Sequence, residues 1–559
     1  TYLTTHEYRH AQQFHMANQG AVLPFKILMG QTGWLLNALV NQPLWFREGD
    51  AVIAETELTN AGRGRMPRFH METRAMLLSG LKYNYEKANF PASFRDFVPN
   101  PYRLGYYLTT HGRRKYDPAI WQKVLHRTHH RSPVYAFTRS LKDQTGLNTR
   151  QLYQETMQEL ENRWQPGQDS LSLTPATVIS PPGTSNYTNY RFPHFRPDGS
   201  VIVLKDGFDQ IRSFYQILPG GKEEKLVTHG VYTEDHIMFS SAGDLMTWAE
   251  SAFDERWINQ DFSVVKTYHF STGKVRKITS RSRYFAPAPS PDGTRIVAVE
   301  ASKENRYNLA LLDAVSGEKL QELPNPDNVF LAQPRFSQNG ENIIALAITA
   351  AGNSLIEVSA ATGIITTLLP FTNVPVSSPL PHGEHIYFAA GFTGIDNIYA
   401  LHRPTGKISQ ITSVPFGAYE PTVSADGKKL LYSSYTARGY RLEETELNPK
   451  KWTELPPEQY QSTLFQEFLP EQPKAPNLAA ANFPAAYQVR KYRAFSDGLF
   501  NIYGWFPSFG NNQYGADFYT RNLMSTLRGT IGVFYNTNEA AIGSKVNLSY
   551  AALYPVIDL

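Results

Sequence analysis

The chain has 559 residues, 41% of them hydrophobic, which is enough for several domains with real cores. Its formal charge of +4 gives no basic excess for nucleic acid. No run approaches the roughly 18 consecutive apolar residues of a transmembrane helix, a test blind to membrane β-strands. Cysteine is absent, so disulfides and thiolate sites are excluded and metal ligands must come from histidine and carboxylate.

The first 165 residues read as mainly helical. His6-Glu7-Tyr8-Arg9-His10 spells H-E-x-x-H. On a helix, positions i and i+4 lie one above the other, so His6 and His10 can present two imidazoles to one zinc ion. Glu7 lies beside them, where it can take a proton from a metal-bound water. This helix is expected to stop near Gly20, with a second through Trp34-Leu35-Leu36 towards Pro43. A third carries Trp45-Phe46-Arg47-Glu48-Gly49 and, two turns on, Glu55. Glu48 completes a two-histidine, one-carboxylate set, and Glu55 on the same face suits a carboxylate orienting a ligand imidazole. Further helices are expected over 68–90 and 101–112, and a last one from Asn148. The basic run from Arg113 to Arg131 reads as a solvated helix face. His15, His70, His126, His129 and His130 read as surface histidines.

His6, Glu7, His10, Glu48, Gly49 and Glu55 together resemble the gluzincin metallopeptidases related to the zinc aminopeptidases. Pro101-Tyr102-Arg103-Leu104-Gly105 is similar to the family's P-Y-x-x-G. The resemblance implies a catalytic role for Tyr102 in stabilising the oxyanion, and Glu7 as general base. It covers about 1–165, with a longer gap from His10 to Glu48 than in the aminopeptidases. The chain opens on Thr1 and closes inside a strand-like run, which reads as a fragment open at both ends and lacking the sheet that usually precedes the zinc helix.

A Pro/Gly/Ser/Thr-rich linker is expected over 166–189. From 190 to 448 the chain repeats. Turn glycines at Gly199, Gly243, Gly293, Gly340, Gly383 and Gly427 recur every 43–50 residues, and most units carry a second turn, as in Ser271-Thr272-Gly273-Lys274. Two tight turns per unit suit a four-stranded antiparallel sheet, and six sheets give a six-bladed propeller. The unit at about 231–278 is the most diverged. Ser290-Pro291-Asp292-Gly293-Thr294-Arg295-Ile296 resembles the hallmark of TolB-like, WD40-like propellers, which implies a rigid spacer or a platform for a protein or peptide partner. No G-x-S-x-G elbow occurs, which argues against a serine hydrolase.

Residues 449–490 read as a proline-rich linker. In 491–559, Leu527, Ile531, Val533 and Tyr535 share one strand face while Arg528 and Thr530 share the other. Val546, Leu548 and Tyr550 alternate with Lys545, Asn547 and Ser549. This period-2 pattern suits outer-membrane barrel strands, and Phe500–Pro507 resembles the opening of large Gram-negative surface-protein barrels. Two or three strands of a partial barrel are expected.

The expected architecture is therefore multidomain: an α metallopeptidase part, an all-β propeller and C-terminal antiparallel strands. The expected function is zinc-dependent peptide hydrolysis in a Gram-negative cell envelope, with a peptide or protein substrate and outer-membrane attachment. The alternative is a non-catalytic envelope assembly, export or docking module on a degenerate peptidase fold.

Overall fold

The computed structural model describes residues 2–131, 135–181, 185–231, 239–257, 260–461, 490–493 and 495–559. Pro182-Gly183-Thr184 of the first expected linker, and Leu469-Pro470, Gln472-Pro473 and Phe483-Pro484 of the second, lie outside the described residues. The chain has a helical N-terminal part followed by antiparallel sheets. It divides into two compact units, one of Thr1–Thr59, Pro101–Thr156 and Phe468–Leu559, the other of Asn60–Asn100 and Met157–Glu467.

Nine helices lie among the described residues of the N-terminal part: α1 (Tyr2–Met16), α2 (Val22–Asn41), α3 (Leu44–Leu58), α4 (Pro67–Leu78), α5 (Tyr85–Asn89), α6 (Pro101–Lys115), α7 (Ile120–His129), α8 (Ala136–Thr145) and α9 (Thr149–Asp169). Local chemistry sets several ends. Pro43 immediately precedes α3 and Pro101 opens α6, where a missing N–H costs nothing. Gly146, at φ 77°, closes α8 with its N–H on the Lys142 carbonyl.

In the first unit, α3 packs against α1 and α6. Trp45 and Phe46 of α3 meet Trp121 of α7 and Phe137 of α8 at ring separations from 5.2 to 6.1 Å, all four buried. Such aromatic contacts add to the hydrophobic effect that holds the helices together. The C-terminal strands Ile502–Gly510, Gln513–Arg521, Leu527–Asn536, Ala541–Tyr550 and Ile557–Asp558 form an open antiparallel meander. That is four long strands and one short one, where two or three were expected, and the described residues form no closed barrel. Val533, Tyr535, Ile542 and Val546 are exposed on it. No described helix is long and apolar enough to cross a membrane.

The second unit contains six antiparallel sheets of at least four strands each. Their first strands are Thr188–Phe195, Ser240–Ala242, Tyr284–Pro289, Phe330–Phe336, Val376–His382 and Ala418–Val423. First strands of successive sheets lie against one another from the second sheet to the sixth, and the sixth returns to the first. The first and second sheets share a core of Leu204, Phe214, Phe239, Met246 and Trp248. The sheets therefore form a closed ring, a six-bladed propeller with first strands innermost. The repeated turn has a local cause. Ser290 Oγ donates to Asp292 Oδ1 at 2.5 Å, Asp292 accepts from Thr294 N, and Arg295 N donates back to Ser290 Oγ. Ser337 and Asn339, and Ser424 and Asp426, repeat the first of these bonds.

The ring differs from the expected boundaries at its seam. Thr177–Val178, inside the stretch expected as a linker, pairs with Glu443 and Glu444 as the outer strand of the sixth blade. Thr453–Glu454 adds a fifth strand to the fifth blade. The helical stretch 60–100 also belongs with the propeller. Met71 and Ala75 of α4 enter a core with Tyr387, Ile398, Tyr432 and Tyr435, and Arg74 donates to the Gly394 and Phe416 carbonyls.

Innermost strands carry a feature the sequence reading missed. Phe192, Ala286, Gln333, Ser378 and Glu420 all have positive φ, each precedes a proline, and each sits at a break in strand register. These are β-bulges that re-aim side chains at the centre of the ring. Glu420 uses its bulge to tie the last blade to the first. It accepts from the Arg191 guanidinium, from Phe192 N at 2.7 Å and from Ser433 Oγ at 2.8 Å, while 5% exposed. Glu420→Ala leaves the partly buried Arg191 guanidinium without its carboxylate, a change expected to cost about 1–3 kcal/mol. Urea unfolding checks this, with a smaller loss expected for Glu420→Gln, which keeps an acceptor.

Candidate metal centre

Three helices of the first unit build the site. α1 carries His6, Glu7, His10 and Gln13; α3 carries Glu48, Asp50 and Glu55; α6 carries Tyr102 and Arg113. Two glycines allow α3 and α6 to meet backbone to backbone. A Cβ on Gly105 would lie 1.7 Å from the Trp45 carbonyl oxygen, and one on Gly49 would lie 2.1 Å from the Gly105 carbonyl carbon. The glycines of E-G and P-Y-x-x-G therefore set the distance between the helices bearing Glu48 and Tyr102.

His6, His10 and Glu48 come together. His6 Nε2 and His10 Nε2 are 3.2 Å apart, and Glu48 Oε2 lies 3.4 and 3.3 Å from them. Zinc bonds of about 2.0–2.1 Å in tetrahedral geometry place donor atoms about 3.3–3.4 Å apart, so these three atoms mark one face of such a tetrahedron. Glu48 Oε2 is buried and, apart from the two ring nitrogens, has no hydrogen-bond partner among the described residues, as expected of an atom that shares a cation with them. Glu55, fully buried, places Oε2 3.2 Å from His6 Nδ1, which makes Nδ1 the donor and leaves His6 Nε2 as a bare lone pair. The donor set fits zinc, which takes histidine nitrogen and carboxylate oxygen.

Burial acts to raise the Glu48 carboxyl, but both imidazoles and the Tyr102 hydroxyl outweigh it and bring it down to about 2. Tyr102 also stacks on His6, with ring centroids 5.8 Å apart and planes at 24°. Glu7 is exposed, on the flank of the histidine stripe.

The other histidines and the basic run need correction. His129 is 2% exposed and within 3.2 Å of Gln42 Nε2, and His70 is fully buried on the Gly64 carbonyl. Burial, with His130 and His126 nearby, pushes the His129 imidazole down to about 4. Both were expected at the surface, but they fall on the inward stripes of their helices. His15, His126 and His130 are exposed. Arg113, read as part of a solvated face, turns inward to Asp50 and Glu57.

Asp50, 1% exposed, escaped the sequence reading. It accepts from Arg9 Nε at 2.7 Å, Arg113 Nη2 at 3.3 Å and Gln13 Nε2 at 2.9 Å. Burial acts to raise its carboxyl, and the two guanidinium groups hold it below the usual range. A signal was present, since Asp50 lies two residues after Glu48 and Arg9 directly precedes His10.

No protein-family model and no curated protein matches this chain. Solved structures similar to it include TolB from Acinetobacter baumannii, with a TM-score of 0.33 and 13% identity over 54% of this chain and 71% of that one. Oligogalacturonate lyase from Vibrio parahaemolyticus gives 0.35 and 14% over 50% and 81%. A Mycobacterium tuberculosis puromycin-hydrolyzing peptidase gives 0.33 and 14% over 64% and 53%. The propeller assignment rests on strand topology.

Proposed function

We propose that this protein is a zinc-dependent metallopeptidase of the Gram-negative cell envelope. The observation carrying this reading is the convergence of His6 Nε2, His10 Nε2 and Glu48 Oε2 at tetrahedral spacing, with the Glu48 oxygen buried. Zinc bound there supplies a Lewis acid and an acidified water.

The chain's own residues do the rest. Glu55 holds His6 from behind. Glu7, on the open flank of the site, takes a proton from the attacking water and returns it to the leaving amine. Tyr102, stacked on His6, donates its hydroxyl to the oxyanion of the scissile carbonyl. The propeller serves as a docking platform for a protein or peptide partner. The C-terminal meander belongs to an outer-membrane barrel, a reading supported by its exposed Val533, Tyr535, Ile542 and Val546.

Metal analysis combined with a broad peptide library tests the enzyme. One equivalent of zinc, with cleavage lost to a chelator and restored by zinc, is the expected result. Zinc-free protein without cleavage would favour a non-catalytic envelope module.

A further inference from the structure

Gln13 is 2% exposed on α1, three residues beyond His10 and on the same side of the helix. A buried amide must satisfy both its ends. Its Nε2 lies 3.0 Å from the Arg47 carbonyl oxygen and 2.9 Å from Asp50 Oδ2. Both are acceptors only, so the amide is locked with its NH2 towards them. The opposite orientation would set the amide oxygen against a carbonyl and a carboxylate at once.

The amide oxygen must then face His10, where Oε1 lies 3.0 Å from Nδ1. An oxygen at that distance can only accept, so His10 Nδ1 carries the hydrogen. In the neutral ring its Nε2 is then a bare lone pair, 3.2 Å from His6 Nε2 and 3.3 Å from Glu48 Oε2. The lock does not stand alone. Asp50 is gripped by Arg9 from α1 and by Arg113 from α6, and Arg113 also donates to Glu57 Oε1 at 3.2 Å. One network across three helices, centred on buried Asp50 and Gln13, thus selects the tautomer and aim of one imidazole.

We propose that Gln13 is a positioning residue of this centre, fixing His10 as the Nδ1–H tautomer with Nε2 presented to the metal. The inference rests on the zinc reading above. It gives the two histidines different partners: a carboxylate behind His6 and a neutral amide behind His10. A neutral partner orients the ring without adding a second negative charge beside Asp50.

Two measurements test it. Nitrogen-15 spectra of the histidine side chains in the metal-free protein, at alkaline pH, are expected to show His10 protonated on Nδ1. In Gln13→Met, which keeps the volume and removes the amide, the Nε2–H form should gain. Zinc affinity, read by competition with a chromogenic chelator, should fall about 10–100-fold in Gln13→Met with melting little changed. A wild-type His10 protonated on Nε2 would overturn the proposal without any variant. So would a Gln13→Met protein with unaltered tautomer and zinc affinity. If the wild type takes up no zinc, the metallopeptidase reading falls, while the tautomer of His10 still decides the role of Gln13.

Discussion

Glu7→Gln is expected to keep its zinc and to lose peptide cleavage by about 10²–10⁴-fold, the usual contribution of a general base. The physical ground is the division of labour along α1. His6 and His10 turn inward to Glu48, their Nε2 atoms 3.4 and 3.3 Å from its Oε2, where the proposed cation would sit. Glu7 stands beside them, exposed and outside that donor set. Glutamine keeps the shape and the helix but cannot accept a proton. Zinc content and catalytic rate, measured on the same preparation, separate this effect from misfolding. A zinc-loaded Glu7→Gln protein cleaving at the wild-type rate would remove Glu7 from the mechanism.

Gly105→Ala is expected to damage folding and metal binding together. The added methyl would fall 1.7 Å from the Trp45 carbonyl oxygen, which is backbone and cannot rotate away. α3 and α6 must separate, at or above the top of the range of about 1–3 kcal/mol for overpacking. Separation also moves Glu48 on α3 and Tyr102 on α6 away from the imidazoles of α1. Thermal melting and zinc competition should both worsen. Gly167→Ala is the control, since nothing lies within 4 Å of the methyl it adds. A Gly105→Ala protein with unchanged melting and zinc affinity would show that the helix crossing does not set the site.

Much of this molecule is written in short-range pattern. The i, i+4 histidines and the Glu48–Glu55 spacing are properties of single helices, so the candidate donor set can be read before any fold is known. The propeller repeats show for the same reason. Turns such as Ser290–Gly293 are closed by hydrogen bonds among their own few residues, as at Ser290, Asp292 and Arg295. Alternation in Leu527–Asn536 likewise marks a strand whatever it packs against.

Other features depend on which surfaces meet. Asp50 and Gln13 resemble ordinary polar helix residues until α1, α3 and α6 close around them and exclude water. His70 and His129 read as surface residues because their burial comes from neighbouring helices and loops. The seam of the propeller depends on Thr177–Val178 finding Glu443 and Glu444, far along the chain, a pairing with no local signature. Positive φ before a proline, as at Glu420, runs against the residue's own preference and persists because neighbouring blades hold it there. Sequence alone determined the periodicities, the turns and which residues could serve as donors. Only the tertiary structure decided their partners, because a partner is chosen by distance and burial, which no single segment contains.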